Sequence, residues 1–131
     1  MCEGNAMRSP MAEAFFNEFT GSNQAISAGA APFPVGGGAF PEVNAAMKEL
    51  GLSLDGHASQ KITPEIVEWA DIVIGFPTPM MPDYVKNSPK YHHWDIADPY
   101  YAPEDGTDYI RLARDKIETR VKEMLRDAYS D

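Results

Sequence analysis

The chain has 131 residues, which is enough for one domain with a single hydrophobic core. Hydrophobic residues make up 44% of it, so the sequence predicts a folded chain rather than a disordered one. The net charge of −9 disfavours binding to nucleic acid or to an anionic membrane surface. No apolar run is long enough to span a membrane and no secretory signal is visible, so we expect a cytoplasmic protein.

The first part of the chain is predicted to contain two helices and one short strand. Ser9 and Pro10 are typical of a helix start, and Gly21 of a helix end. A buried stripe at helical spacing lies between them, formed by Met11, Phe15 and Phe19. The next predicted elements are a strand over residues 24–28 centred on Ile26, a loop over 29–41 and a helix over 42–50.

The second part of the chain alternates helices with apolar runs. Thr63 and Pro64 open a predicted helix that continues to about residue 69. Residues 71–76 form a short apolar run, which is typical of a buried parallel strand, and residues 91–96 are a second candidate strand. Apolar side chains keep helical spacing from residue 108 to about residue 128. This alternation predicts an α/β fold with helices on both faces of a parallel sheet.

The segment from Cys2 to Ser9 carries the chemistry that the sequence predicts. A loop that leads into a helix directs several main-chain N–H groups at one point, where an anion with three or four oxygens can bind. Gly4 is expected to allow the tight curvature of this loop, and Arg8 adds a planar fork that grips two oxygens at once. The predicted oxyanion-binding residues of the loop are Glu3, Gly4, Asn5, Ala6, Met7, Arg8 and Ser9.

Cys2 is the only cysteine in the chain. A lone cysteine is most often a small buried apolar residue, but its neighbours here favour a nucleophile. At the base of the loop, the N–H dipoles and the Arg8 guanidinium favour the thiolate, which attacks phosphorus or arsenic readily. The Ser9 hydroxyl can donate to the sulfur, and Asn5 can hold the shape of the loop by hydrogen bonds to the backbone.

The run from Cys2 to Phe16 resembles the N-terminal signature of the low-molecular-weight protein tyrosine phosphatases and their arsenate reductase relatives. The resemblance continues through residues 29–30, 51–59 and 70–74 to the Asp-Pro-Tyr-Tyr run at 98–101, so it covers nearly the whole chain. It implies one domain over residues 1–131, with a flavodoxin-like, doubly wound, four-stranded parallel sheet.

The resemblance also implies roles for residues near the C-terminus. In that family the Asp of an Asp-Pro pair protonates the leaving oxygen and then acts as base on the attacking water. Asp98 matches this position, with Asp95 as its rival. An Asp-Pro pair is otherwise an ordinary turn, so this prediction depends on Cys2 and Arg8. Tyr100 resembles the aromatic rim beside the substrate ring and is a predicted binding residue, although a surface aromatic is the alternative.

Two departures from the family pattern bear on function. Met7 stands where many relatives carry a second loop cysteine, and residues 75–89 lack the two cysteines of the thioredoxin-coupled arsenate reductases. A relay of internal thiols is therefore excluded. Only Met1 precedes Cys2, where the family has a central strand, so we expect this first strand to be missing and the domain to be N-terminally truncated.

The leading prediction is a phosphatase that hydrolyses phosphotyrosine or other aryl phosphates through a phosphocysteine on Cys2, with Arg8 and Asp98 as further catalytic residues. The first alternative is an arsenate reductase that uses an external low-molecular-weight thiol, and the second is a non-catalytic oxyanion-binding module. The expected partner is a phosphorylated protein or a small aryl phosphate, or arsenate with a thiol. No cofactor or metal is expected, since the adjacent side chains of His92 and His93 diverge.

Overall fold

The computed structural model of the chain describes residues 1–32, 34–99 and 106–129, without the side chains of 106, 107, 128 and 129. The elements in chain order are α1 (Arg8–Thr20), α2 (Pro41–Lys48), α3 (Pro64–Trp69), β1 (Val73–Gly75), α4 (Asp83–Lys86), β2 (Tyr91–His93) and α5 (Gly106–Tyr129). Strands β1 and β2 pair in parallel, with helices before, between and after them, so the predicted α/β class is confirmed. In this part of the chain, no helix has the length and apolarity needed to cross a membrane.

The sheet continues beyond β1 through single residues rather than named strands. The Met1 amino nitrogen donates to the Ile74 carbonyl at 2.6 Å, and the Met1 carbonyl accepts from the Phe76 N–H at 2.9 Å. On the other side, Cys2 forms a parallel bridge with Gly29, which in turn bridges Lys61. Cys2 therefore lies in a row of parallel backbones, at the carboxyl end where α/β folds hold ligands. The four-stranded sheet and the missing first strand stay predictions.

The strand predicted over residues 24–28 is wrong. None of these residues is in a strand, although the Ala28 carbonyl accepts from the Cys2 N–H at 3.3 Å, and Ile26 is 44% exposed instead of buried. The Asn17 side chain accounts for the difference, because its Oδ1 accepts from the Ala25 N–H at 2.9 Å and its Nδ2 donates to the Ala25 carbonyl at 3.2 Å. A side chain of α1 therefore satisfies the backbone groups that a neighbouring strand would otherwise pair.

Helix α1 packs its inner face against α5. Met11 and Phe15 are fully buried, and the left-handed Gly21 ends the helix as predicted, with φ +61°. Phe19, which the helical spacing of apolar residues predicted to be buried, is 38% exposed. Its ring stacks on Phe15 at 5.7 Å and lies 5.4 Å from the Lys122 ammonium group, so it covers the outer edge of the core.

The remaining helices differ from the predictions mainly at their ends. Helix α3 begins as predicted, with the Thr63 hydroxyl accepting from the Ile66 N–H at 3.2 Å. Short helix α4 was not predicted from the sequence, and it starts directly after Pro82. The α5 stripe is buried from Ile110 to Val121, which fixes this helix against the rest of the core.

Candidate active site

The loop between Cys2 and α1 has main-chain N–H groups without acceptors. Among the described residues, none accepts a hydrogen bond from the N–H groups of residues 4–8. Five consecutive unpaired donors on one tight loop form a cradle for an anion, because buried N–H groups otherwise find partners. The loop runs directly into α1, whose N-terminus favours negative charge.

Asn5 is the residue of the loop with left-handed backbone. Its φ is +54°, a conformation that asparagine tolerates, whereas Gly4 is not in the left-handed region. The expected role of Gly4 in the tight curvature stays a prediction. The Asn5 side chain is fully buried, donates to Ser9 Oγ and Ser27 Oγ at 2.9 Å each, and accepts from the Gln60 N–H at 2.9 Å.

The Asn5 carbonyl is held from the opposite side by residues 57 and 59. Ser59 Oγ donates to it at 2.9 Å. His57 Nε2 lies 2.6 Å from the same oxygen and acts as the donor, since a carbonyl can only accept. Side-chain and main-chain groups from two distant segments thus fix the one strained residue of the loop in place.

Cys2 Sγ and Ser9 Oγ are 3.0 Å apart, and both residues are buried. Ser9 Oγ already accepts a hydrogen bond from Asn5 Nδ2, so its own proton is available to the sulfur. This direction stabilises the thiolate, as the sequence predicts. Ser9 does not cap α1, because Met7 occupies the N-cap position and no side chain caps it.

Arg8 is 1% exposed and is oriented by main-chain carbonyls. Its Nη1 donates to Pro77 O at 2.9 Å and to Ile96 O at 3.0 Å, and its guanidinium lies 5.6 Å from the centre of the Phe76 ring. Its Nε and Nη2 are buried without a hydrogen-bond partner among the described residues. Nε and Nη2 are the pair of N–H groups through which a guanidinium can grip two oxygens of an oxyanion, so the geometry fits the predicted role.

Asp98 follows β2 and lies beside Arg8, with its Oδ2 atom 3.4 Å from Arg8 Nη2. The Asp98 side chain is 16% exposed and lines a cleft of about 770 Å³. Asp95 is exposed and does not line this cleft. The structure therefore brings Asp98, rather than its rival, next to the loop.

The cleft opens beside the loop and has walls from four segments. It is lined by Glu3, Pro77, Thr78, Pro79, His93, Ile96, Ala97, Asp98, Pro99, Tyr109, Leu112, Ala113 and Lys116. Glu3 accepts from Thr78 Oγ1 at 3.0 Å, which ties the loop to the segment after β1. His93 Nδ1 lies 3.0 Å from the Tyr91 hydroxyl, and burial raises the pKa of Tyr91 above its usual value.

Comparison with known proteins identifies the family. Residues 1–80 match the family described as low molecular weight phosphotyrosine protein phosphatase. The chain belongs to this phosphatase family. The predicted membership is therefore confirmed, and the match includes the whole loop from Cys2 to Ser9.

Members of the low-molecular-weight phosphatase family that resemble this chain carry different activities. An arsenate reductase from Bacillus subtilis (strain 168) is 32% identical over 134 residues, covering 95% of this chain and 91% of that protein. The tyrosine phosphatase AmsI from Erwinia amylovora has a TM-score of 0.84 at 25% identity, covering 99% of this chain and 90% of that chain. A variant of the YwlE arginine phosphatase with a phosphorylated active-site serine has a TM-score of 0.80 at 28% identity, covering 99% and 93%. Family membership therefore indicates an enzyme without deciding its reaction.

The remaining predicted loop residues contribute mainly backbone. The Glu3 carbonyl accepts from the Ala31 N–H at 2.7 Å, and the Ala6 carbonyl accepts from the Phe40 N–H at 3.2 Å. Met7 is buried at 7% exposure. Tyr100, the predicted rim residue, lies outside the described residues.

Sequence reasoning missed the residues that support the loop of this phosphatase-family chain. Ser27, Ser59 and Gln60 hold Asn5, while the carbonyls of Pro77 and Ile96 hold Arg8. Each is more than 20 positions away from its partner in the chain, so no local motif marks it. A carbonyl also carries no residue-specific signal, because every residue has one.

Proposed function

We propose that this chain is a phosphatase that hydrolyses phosphomonoesters, with aryl phosphates such as phosphotyrosine as substrates, through a phosphocysteine on Cys2. One observation carries the proposal: beside the buried Cys2 thiol, five consecutive loop N–H groups and the Nε and Nη2 atoms of Arg8 have no hydrogen-bond partner among the described residues. A phosphoryl group has the charge and the oxygens to satisfy these donors.

In the first step the Cys2 thiolate attacks phosphorus and the bond from phosphorus to the ester oxygen breaks. Asp98 gives its proton to that oxygen, which leaves as a neutral phenol. Loop N–H groups and Arg8 stabilise the charge on the equatorial oxygens during transfer. The products of this step are the phenol, the phosphocysteine and an ionised Asp98.

In the second step water attacks the phosphocysteine. The Asp98 carboxylate takes a proton from the water as its oxygen bonds to phosphorus, and the sulfur–phosphorus bond breaks. Inorganic phosphate is released and the thiolate returns, with the Ser9 hydroxyl donating to it over the 3.0 Å contact. The phosphorylated active-site serine in the YwlE variant supports covalent transfer at the equivalent point of a relative.

The direct test is pre-steady-state kinetics with p-nitrophenyl phosphate in excess over the enzyme. The parent should release a burst of p-nitrophenol equal to the enzyme concentration, and rapid acid quenching should trap phosphate on Cys2. Cys2→Ser should abolish steady-state turnover while Lys61→Ser, at an exposed site away from the cleft, leaves it intact. Unchanged turnover in Cys2→Ser would refute the nucleophile.

Arsenate reduction is the second candidate, because the curated relative from Bacillus subtilis is named an arsenate reductase. Arsenate would form a Cys2–arsenic adduct in the same loop with loss of water. An external low-molecular-weight thiol would attack the Cys2 sulfur, so that the sulfur–arsenic bond breaks, arsenite leaves with its electron pair and a mixed disulfide forms, which a second thiol reduces to regenerate Cys2. Assays with arsenate plus thiols, run beside the aryl phosphate assay, separate the two reactions. Arsenate turnover without phosphatase activity would reverse this order.

A non-catalytic oxyanion-binding module is the third outcome of these assays. It predicts saturable phosphate binding with turnover of neither aryl phosphate nor arsenate. Cys2 and Asp98 argue against it, because a binding module needs neither a nucleophile nor an acid placed 3.4 Å from the binding arginine.

A further inference from the structure

One face of α5 lines the same cleft as Glu3 of the anion loop and Asp98. Tyr109, Leu112, Ala113 and Lys116 line the cleft at helical spacing. Ala113 is buried at 4% exposure, whereas Tyr109 and Leu112 are 45% and 51% exposed. The large side chains of Tyr109 and Leu112 are therefore exposed to the cleft, next to the small buried Ala113.

The cleft is larger than the phosphoryl group requires. Its volume of about 770 Å³ is in the range of sites that enclose a drug-sized ligand. Glu3 of the anion loop and Asp98, which contacts Arg8, both line the cleft, and the α5 residues belong to a separate segment of its wall. Room remains for chain atoms on both sides of a phosphorylated side chain.

Lys116 is the charged group in this cleft without a partner among the described residues. Asp98 pairs with Arg8, Glu3 accepts from Thr78, and His93 contacts Tyr91. Elsewhere in the described ranges, Lys61 is the only other Lys or Arg for which no carboxylate, carbonyl or ring contact occurs. In a chain with 20 acidic residues, an unpaired ammonium beside apolar side chains matches an acidic group on a ligand.

From this arrangement we infer that the α5 face binds the peptide segment beside the phosphorylated residue of a protein substrate. An apolar side chain of the substrate packs on Tyr109 and Leu112, and a carboxylate pairs with Lys116. The inference rests on the proposed function, because the phosphoryl group must enter the loop to bring its flanking segment to α5.

Helix geometry fixes the spacing of the substrate residues. Leu112 and Lys116 are one turn apart, so their side chains are separated by about 5–6 Å. In an extended peptide, residues two positions apart lie on the same side at roughly 7 Å. The recognised segment therefore carries its apolar and its acidic residue at positions i and i+2.

Binding to the Cys2→Ala chain, which has no nucleophile to accept the phosphoryl group, tests the inference. The probes are two labelled phosphotyrosine peptides that share a leucine and differ two positions later, with Glu in one and Lys in the other. By fluorescence anisotropy, the Glu peptide should bind about fivefold more tightly than the Lys peptide. Adding Lys116→Glu should reverse that preference, and the same change at Lys61 should leave it intact.

A second experiment tests the apolar contact with Leu112. Leu112→Ser should weaken binding of the Glu peptide about threefold, and substituting the peptide's leucine by serine should remove most of that loss. Leu50→Ser is the matched control, because Leu50 is also exposed, at 42%, and does not line the cleft.

The outcomes separate the two proposals. If the preference for the Glu peptide persists in Lys116→Glu, the inference is overturned. It is also overturned if Lys61→Glu changes the preference as much as Lys116→Glu does, because the net charge of the protein would then explain it. Absence of p-nitrophenyl phosphate turnover in the parent counts against the proposed function alone, since the peptide preference is read in a chain that needs no turnover.

Discussion

The Asp98 carboxylate lies 3.4 Å from Nη2 of Arg8, and both side chains are largely shielded from solvent, at 16% and 1% exposure. Nη2 also belongs to the fork that would grip a phosphoryl oxygen. Substrate and Asp98 therefore use the same atom of Arg8. We expect phosphate to displace the carboxylate toward the leaving group, where a general acid is needed.

Asp98→Asn should slow hydrolysis most for poor leaving groups, because an amide cannot supply the proton that a phenolate needs. With phenyl phosphate the loss of kcat/KM, which reports the step that releases the phenol, should be about 10²-fold or more, in the range of general acid catalysis. With p-nitrophenyl phosphate it should be smaller, since that group leaves without full protonation. A larger loss in Asp95→Asn than in Asp98→Asn would mean that the acid is misassigned.

Arg8→Lys should remove the stabilisation that phosphate gives to the fold. A single ammonium cannot hold the carbonyls of Pro77 and Ile96 and also grip two oxygens. In the parent, phosphate at about 100 times its Kd should add about 2.7 kcal/mol to the free energy of unfolding. Thermal melts with phosphate, and with chloride at equal ionic strength, measure the effect, and an equal phosphate shift in the variant would contradict it.

Substitutions of Asn5 should separate backbone strain from hydrogen bonding. Asn5→Ala loses three side-chain hydrogen bonds and leaves a Cβ at φ +54°, so it should destabilise the fold by about 3 kcal/mol. Asn5→Gly loses the same bonds without the strain, so it should be about 1 kcal/mol more stable than Asn5→Ala. Urea denaturation compares them, and equal midpoints would show that the left-handed backbone contributes nothing.

Gly29→Ala should disturb the anion loop, because Gly29 lies against the loop backbone. An added Cβ would lie 2.7 Å from the Glu3 carbonyl oxygen and 2.8 Å from the Asn5 nitrogen, closer than real contacts allow. We expect a loss of about 1–3 kcal/mol in stability and a lower kcat/KM. Gly38→Ala is the control, since its Cβ would meet the His57 carbonyl at an ordinary 3.7 Å. Similar melts for both variants would refute the steric argument.

Glu49 should make stability depend on pH in the acidic range. Hydrogen bonds from Arg111, and then from Arg114, lower the pKa of Glu49 from 4.5 to about 2. A depressed carboxyl pKa stabilises the fold fully above the unfolded value and loses that contribution as pH falls toward the folded value. The difference in Tm between the parent and Glu49→Gln should therefore be constant near neutrality and shrink below about pH 4.5. A difference that stays constant down to pH 3 would contradict the assignment.

Local features of the fold were predictable where neighbours in sequence decide them. The end of α1 at Gly21 and the start of α3 at Thr63 depend on backbone preference and on a cap three residues away. The strand over residues 24–28 was not predictable, because Asn17 takes its backbone bonds and lies on a different element.

The same distinction between local and distant determinants applies to the candidate site. The resemblance picks out Cys2, Arg8 and Asp98. In the structure Arg8 begins the helix that follows the Cys2 loop, and its Nη2 atom lies 3.4 Å from Asp98 Oδ2. The left-handed backbone at Asn5 was not predicted, because its support from Ser27 and Gln60 comes from distant segments. Such support depends on the path of the whole chain.

The wall of the cleft on α5 is distant in sequence from the nucleophile, and its exposed side chains are not the ones that anchor the helix in the core. Ile117 and Val121 fix the helix in the core, whereas positions 109, 112 and 116 face outward and hold none of the loop's supports. Substitutions at these three positions can change which molecules enter without altering the surroundings of the sulfur. Selectivity in this scaffold can thus diverge over generations on one helix surface, and a mutant library confined to it would explore specificity at little risk to the chemistry.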